Sequence, residues 1–239
     1  MDFDELLDDE LIDTLSDEDF FKMLMEIEKE AEEKERVIYL EQALISRKKD
    51  TNPFSVNRQY VNSKEYHDKF ERLPVNDIVQ ESLYKQAGRL LEFVDGQDEE
   101  HLLAVNARTG ELIVDNFDRP GYSKNTAFTT NEYQKIQDCI DTIILMHNHS
   151  LNGRPSAADL LSCLKDDKIR LSLVLCHDGT VHAIYSVKEK FKELYSLYMN
   201  DICTKTTDRE EAKRLVMTKL YQDNENLNNR YKLFDVRKL

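Results

Sequence analysis

The segment from Thr142 to Asp159 constrains the fold of this chain more than any other part of the sequence. It opens with the apolar run Thr142–Met146, which is typical of a buried strand, and continues directly into His147-Asn148-His149. Side chains two residues apart on a strand lie on the same face of the sheet. Both imidazoles are therefore expected on one side of the strand's end, before the chain turns through Gly153 and Pro155.

A helix is predicted to begin near Ser156. The pattern Ser156-x-x-Asp159 is a capping box, in which the two side chains bond to backbone N–H groups at a helix start. The Asp159 carboxylate is also placed to return toward the histidines His147 and His149. A catalytic zinc ion typically has three protein ligands and a fourth position open for water, and two imidazoles with one carboxylate supply such a set. For Asp159 the capping and the metal interpretations compete, whereas for Ser156 capping is compatible with contact to an oxyanion.

The rest of the chain alternates short helices and short strands. Apolar periodicity predicts helices at about 63–72, 76–94, 131–140 and 188–222, and strands at His101–Val105, Glu111–Val114, Leu171–Cys176 and Thr180–Val187. Gly110 and Asp178-Gly179 are typical of hairpin turns. The order of elements predicts an α+β fold, an α/β sandwich of a mixed sheet with flanking helices.

The acidic residues are concentrated at the N-terminus. Residues 1–50 contain eighteen acidic and seven basic residues, and so carry −11 of the net charge of −14. An amphipathic helix is predicted at about 17–47, with an apolar stripe that packs on the body of the protein or docks to a partner protein. The expected organisation is an acidic helical extension (1–50), a linker and helices (51–95), a metal-binding core (96–187) and C-terminal helices (188–239), with the linker placed at Lys48–Asn62.

Several classes of protein are excluded or disfavoured by the sequence. It contains no Gly-rich phosphate loop, no GxGxxG fingerprint, no His-Glu-x-x-His helix and no Gly-x-Ser-x-Gly elbow. The acidic charge opposes non-specific nucleic-acid binding. The acidic first residues differ from a secretory signal, and no apolar stretch approaches the ~20 residues of a membrane span. A cytoplasmic protein is expected, with its four cysteines reduced and packed as small apolar residues.

The motif of His147, His149, Ser156 and Asp159 resembles that of the JAB/MPN metalloenzymes, also called JAMM, and in particular their RadC-like bacterial and phage branch. The resemblance covers about residues 96–187 and implies a JAB/MPN-like core. It implies that His147, His149 and Asp159 bind zinc and that Ser156 stabilises an oxyanion. Two departures are present: Ser150 stands where the family usually has proline, and the loop from His149 to Ser156 is one residue shorter than is common.

The family also uses an upstream glutamate, which activates the zinc-bound water. Glu100 takes that position best, with Glu99 and then Glu92 as the alternatives. The resemblance implies a zinc-dependent metallopeptidase or isopeptidase that acts on a protein or peptide, a ubiquitin-like protein being one candidate. One alternative is an inactive JAB-fold adaptor in a phage or mobile-element assembly. A weaker alternative is a DNA-associated protein, which the net charge opposes.

Overall fold

The structure, a computed structural model, describes residues 52–119, 126–204, 206 and 208–239. The amphipathic helix predicted at about 17–47 and the acidic extension that contains it lie outside the described residues. By its internal contacts the chain divides between Asp50 and Thr51 into two units, and every described residue belongs to the second unit.

The described residues form helices around one sheet. The helices are α1 (Arg58–Val61), α2 (Lys64–Glu71), α3 (Asp77–Phe93), α4 (Thr130–Asp138), α5 (Ala157–Lys165), α6 (Glu189–Cys203) and α7 (Arg209–Asn226). The strands are β1 (Leu102–Asn106), β2 (Leu112–Asp115), β3 (Ile143–His149), β4 (Ile169–Cys176), β5 (Val181–Val187) and β6 (Phe234–Lys238).

The sheet has six strands in the order β2-β1-β3-β4-β5-β6. Strands β3 and β4 are parallel, and the other neighbouring pairs are antiparallel. A parallel pair needs a crossover connection, and α5 supplies it here. The mixed sheet with flanking helices confirms the predicted α+β fold.

Both predicted hairpins form, and each depends on a glycine. Gly110 joins β1 to β2 with a φ of +76°, and Gly179 joins β4 to β5 with a φ of +89°. This left-handed region is costly for residues that carry a Cβ atom. At Gly179 the space is also filled, because an added Cβ would lie 2.3 Å from a ring carbon of Tyr60.

The two faces of the sheet are covered by different helices. On one face, Phe70 and Leu83 of α2 and α3 pack in the same buried cluster as Met146 of β3. On the other face, Ile136 of α4 packs with Ile143 of β3. Because successive strand residues alternate between faces, β3 turns its odd-numbered residues, both histidines included, toward the second face.

Two predictions about the ends of the core are wrong. The described part of the predicted linker Lys48–Asn62 packs on the body: Val56 and Val61 are buried, and the backbone N–H of Asn57 donates to the His177 carbonyl at 2.7 Å. The C-terminal region is not purely helical, because Phe234–Lys238 forms β6 beside β5. This edge strand buries Phe234 but carries three charged residues, so its apolar pattern is short.

The cysteines are free thiols, as the sequence predicts. Cys176 is buried and Cys139 and Cys163 are half-buried, but Cys203 is exposed at the end of α6, so a packing role is wrong for that residue. Across the described ranges, no helix is both long enough and apolar enough to cross a bilayer.

Candidate metal centre

The sequence-predicted ligands His147, His149 and Asp159 meet at the carboxyl end of β3. The Nε2 atoms of the two histidines are 3.3 Å apart. Asp159, in the first turn of α5, places Oδ1 at 3.1 Å from Nε2 of His147 and Oδ2 at 3.6 Å from Nε2 of His149. Within the described part of the chain, the three residues form a group able to hold a metal ion.

The spacing of these donor atoms fits a small tetrahedral ion. Ligand atoms at ~2.0–2.1 Å from zinc and at tetrahedral angles to one another are separated by about 3.3 Å. Nε2 of His147 lies 3.3 Å from Nε2 of His149 and 3.1 Å from Oδ1 of Asp159, both close to that value, and the other carboxylate oxygen, Oδ2, lies 3.6 Å from Nε2 of His149. The backbone therefore brings the three side chains to the distances that metal binding requires.

The hydrogen bonding of His149 also favours a cation at this point. Its Nδ1 lies 3.3 Å from the carbonyl oxygen of Gly153. A carbonyl only accepts, so Nδ1 carries the proton and Nε2 presents a lone pair. That lone pair meets Nε2 of His147 and the carboxylate of Asp159, and such a group of electron-pair donors is stabilised by a positive ion between them.

Asp159 serves the helix cap and the histidines at the same time. Its Oδ2 accepts from the backbone N–H of Ser156 at 2.6 Å, and the hydroxyl of Ser156 accepts from the Asp159 N–H at 3.3 Å. Burial raises the pKa of Asp159, but the two imidazoles, when protonated, lower it by more, His147 first, to well below its usual value. The capping and metal interpretations do not exclude each other, because Oδ1 remains directed at His147.

Glu100 lies beside the ligand group. Its Oε1 is 4.0 Å from Nε2 of His149, and its side chain is 16% exposed. Burial raises the pKa of Glu100 to about 7; the charge of His149 opposes this shift, and the carboxylates of Asp159 and Asp98 add to it. A carboxyl group with this pKa takes up and releases protons near neutral pH.

The two alternatives to Glu100 have other surroundings. The carboxylate of Glu99 lies 3.5 Å from Nε2 of His101 and is 41% exposed. Glu92 is exposed on α3. The structure thus favours Glu100, the first choice from the sequence, as the acid beside His149.

The loop between His149 and Asp159 is held by hydrogen bonds on two sides. Ser150 donates its hydroxyl to Asp98, two residues before Glu100. On the other side, the hydroxyl of Tyr221 in α7 donates to the Pro155 carbonyl at 2.9 Å. Sequence reasoning missed Tyr221, because nothing local in the sequence links a tyrosine of α7 to a loop 66 positions earlier.

Two of the other histidines have partners outside this ligand group. His67 forms a second cluster with Asp68 and Glu71, but these are ion pairs on the surface of α2, where Lys64 already neutralises Asp68 at 2.8 Å. His177 is buried and donates from Nδ1 to the carbonyl of Phe54.

The assembled group combines metal-ligand atoms, a buried acid and the start of a helix. Three ligand atoms converge, an acid with a near-neutral pKa stands 4.0 Å from one of them, and a helix begins at the same place. Comparison of the chain with protein-family models, with curated proteins and with solved structures found no match.

Proposed function

We propose that this chain is a zinc-dependent metallopeptidase of the JAB/MPN type, which hydrolyses a peptide or isopeptide bond of a protein substrate. The observation that carries the proposal is the convergence of Glu100 on the ligand group of His147, His149 and Asp159. Each of these side chains keeps a small exposed fraction, from 6% for His147 to 16% for Glu100, so that solvent and substrate reach the group.

Zinc suits these ligands. Two imidazoles and one carboxylate are unlike the all-oxygen sites that calcium and magnesium prefer. Zinc bound there would polarise the carbonyl of the scissile bond and lower the pKa of a bound water to about 7. Non-haem iron takes the same ligand set, so the identity of the metal is part of the test.

Glu100 is the proposed general base and acid. Amide hydrolysis needs one proton removed from the attacking water and one delivered to the leaving nitrogen. In the metal-free protein burial raises the pKa of Glu100 to about 7, and zinc bound beside it would favour the carboxylate, the form that accepts the proton of the water. The carboxyl group protonated in that step then delivers the proton to the leaving nitrogen.

Ser156 is the proposed contact for the oxyanion that forms as water adds to the carbonyl. It is exposed at the N-cap of α5, where the positive end of the helix dipole favours negative charge. In the cap its oxygen accepts from the N–H of Asp159, which leaves the hydroxyl proton for another acceptor. A donor of this kind lowers the barrier by stabilising charge that develops in the transition state.

The test compares the full chain with three variants by elemental analysis and by hydrolysis of linear, isopeptide-linked and ubiquitin-like substrates. The unaltered chain is expected to hold about one zinc ion and to cleave. Glu100→Gln should keep the zinc and lose hydrolysis, because it removes the base and no ligand. His149→Ala should lose both, whereas His67→Ala, the matched control in the surface cluster of α2, should lose neither.

Four results would contradict the proposal. A chain with intact ligands that holds no metal, or that holds iron in preference to zinc, is not this enzyme. A zinc-loaded chain that cleaves none of the substrates supports the adaptor instead. Tight, salt-sensitive DNA binding would support the DNA-associated alternative.

A further inference from the structure

Asn148 is fully buried between the two ligand histidines of β3, and it faces the opposite side of the sheet from them. Its Oδ1 accepts from the backbone N–H of His101 at 2.8 Å. Its Nδ2 donates to the backbone carbonyl of Glu99, also at 2.8 Å. The two backbone groups held by this one amide stand immediately before and after Glu100.

The orientation of the amide is unambiguous. A backbone N–H only donates and a carbonyl only accepts, so the oxygen must face His101 and the nitrogen must face Glu99. Both bonds are short, and neither partner can exchange its role. If the amide were flipped, its NH2 group would face the His101 N–H and its oxygen would face the Glu99 carbonyl.

A third hydrogen bond fixes the Asn148 amide. Nδ2 of Asn148 lies 3.3 Å from Nε2 of His177. Nδ1 of His177 lies 2.6 Å from the Phe54 carbonyl and must donate to it. Nε2 therefore accepts the second proton of the Asn148 amide, so that both donors and the acceptor of this buried side chain are used.

We propose that Asn148 is a positioning residue. Its amide is hydrogen-bonded to the backbone on both sides of Glu100 and so holds the Glu100 carboxylate beside the metal ligands. The inference rests on the proposed function, in which Glu100 is the base. Glu100 precedes β1, which begins at Leu102. The backbone N–H of Asn148 donates to the His101 carbonyl at 3.4 Å and Glu100 forms an isolated bridge, so the Asn148 side chain adds two shorter hydrogen bonds to a weak pairing beyond Leu102.

The arrangement joins the base and two ligands through a single strand. His147 and His149 project from one face of β3, and Asn148, between them, reaches the Glu100 segment from the other face. A displacement of about 1 Å at a reacting group costs on the order of 100-fold in rate. The rate of hydrolysis should therefore depend on Asn148, although it touches neither metal nor substrate.

The test compares Asn148→Ala with Asn106→Ala in the zinc-loaded full chain. Asn106 is a matched control, because it is also buried and accepts from the backbone N–H groups of Arg108 and Thr109, but it ends β1 at the far side from Glu100. Both variants should keep zinc. Only Asn148→Ala should lower kcat, by about 10- to 100-fold, with KM unchanged.

Two further measurements separate positioning from general damage. In a Glu100→Gln background, Asn148→Ala should not lower the residual rate further, because it acts through Glu100. The exchange of the His101 amide hydrogen, followed by NMR, should accelerate by at least ~10-fold in Asn148→Ala and stay unchanged in Asn106→Ala. This readout needs no substrate.

The proposal is overturned if Asn148→Ala leaves the His101 amide protected, if it releases the zinc, or if its loss of rate is the same with Gln at position 100. Asn148→Ser, which keeps a small polar group but cannot span both backbone partners, replaces Asn148→Ala if that variant does not fold. If the zinc-loaded chain cleaves nothing, the proposed function fails. A crystal structure of the variant then decides the inference, which requires the Glu100 carboxylate to move while the ligands stay in place.

Discussion

Replacement of Glu100 by Gln is expected to stabilise the metal-free protein, and to do so only where Glu100 would ionise. Burial raises the pKa of Glu100 to about 7, against an ordinary value of 4.5. Below 4.5 the group is protonated in both states. Between 4.5 and about 7 the unfolded chain loses this proton while the folded chain keeps it, so the free energy of unfolding falls as the pH rises. Above about 7 the loss is complete.

The size of the effect follows from the two pKa values. Each pKa unit corresponds to about 1.36 kcal/mol, so the interval from 4.5 to about 7 gives at most ~3 kcal/mol. Gln cannot ionise, and any fixed cost of its amide is the same at every pH. The stability of Glu100→Gln relative to the unaltered chain should therefore rise by ~2–3 kcal/mol between about pH 4.5 and pH 8.

Urea unfolding of the full chain in the presence of a chelator, at several pH values across this range, measures the difference. Glu92→Gln is the control, because it makes the same substitution at an exposed position of α3. Added zinc should shrink the Glu100 effect, since a nearby cation favours the carboxylate. A Glu100→Gln difference that is flat, or that grows toward acid pH, would refute the burial argument.

Three further predictions concern the surroundings of the site. Tyr221→Phe removes the hydrogen bond to the Pro155 carbonyl and should cost ~1 kcal/mol of stability. It should also weaken zinc binding, measured by competition with a chelator. An unchanged zinc affinity would show that α7 does not support the loop between His149 and Asp159. Burial lowers the pKa of His182 from 6.5 to about 4. As the pH falls through that interval the unfolded chain binds a proton that the folded chain does not, so the free energy of unfolding should fall by up to ~3 kcal/mol. Urea unfolding of the unaltered chain and of His182→Gln at several pH values should show this as a pH-dependent difference. Gly179→Ala should lower the melting temperature, because Gly179 has a positive φ and an added Cβ would meet the Tyr60 ring. Gly88→Ala in α3, where an added Cβ would have no atom within 4 Å, should raise it by the equivalent of ~0.5–1 kcal/mol. Equal shifts in the two variants would contradict this reasoning.

The features that the sequence predicted well are those that depend on neighbouring residues. The shared direction of His147 and His149 follows from the two-residue period of a strand. The place of Asp159 follows from the capping box at the start of α5. The alternation of elements was sufficient for the α+β fold, because apolar periodicity and turn glycines are also local signals.

The features that the sequence left open depend on distant contacts. Glu99 and Glu100 are adjacent and chemically alike, and only the packing of the chain against β3 directs Glu100 toward His149. Tyr221 and the buried amide of Asn148 belong to networks with partners far along the chain. The short strand β6 was missed for a similar reason, since an edge strand is stabilised by its neighbour more than by its own apolar pattern.

The double use of the Asp159 carboxylate limits how this chain can diverge. Oδ2 secures the first turn of α5, and α5 is the crossover between the two parallel strands. Replacement of the side chain by an apolar one would therefore remove the cap of that first turn, whether or not an ion binds there. If the proposed function holds, a descendant that loses activity should lose His147 or His149 first, and should keep Asp, Asn or Ser at position 159, where a short polar side chain preserves the cap.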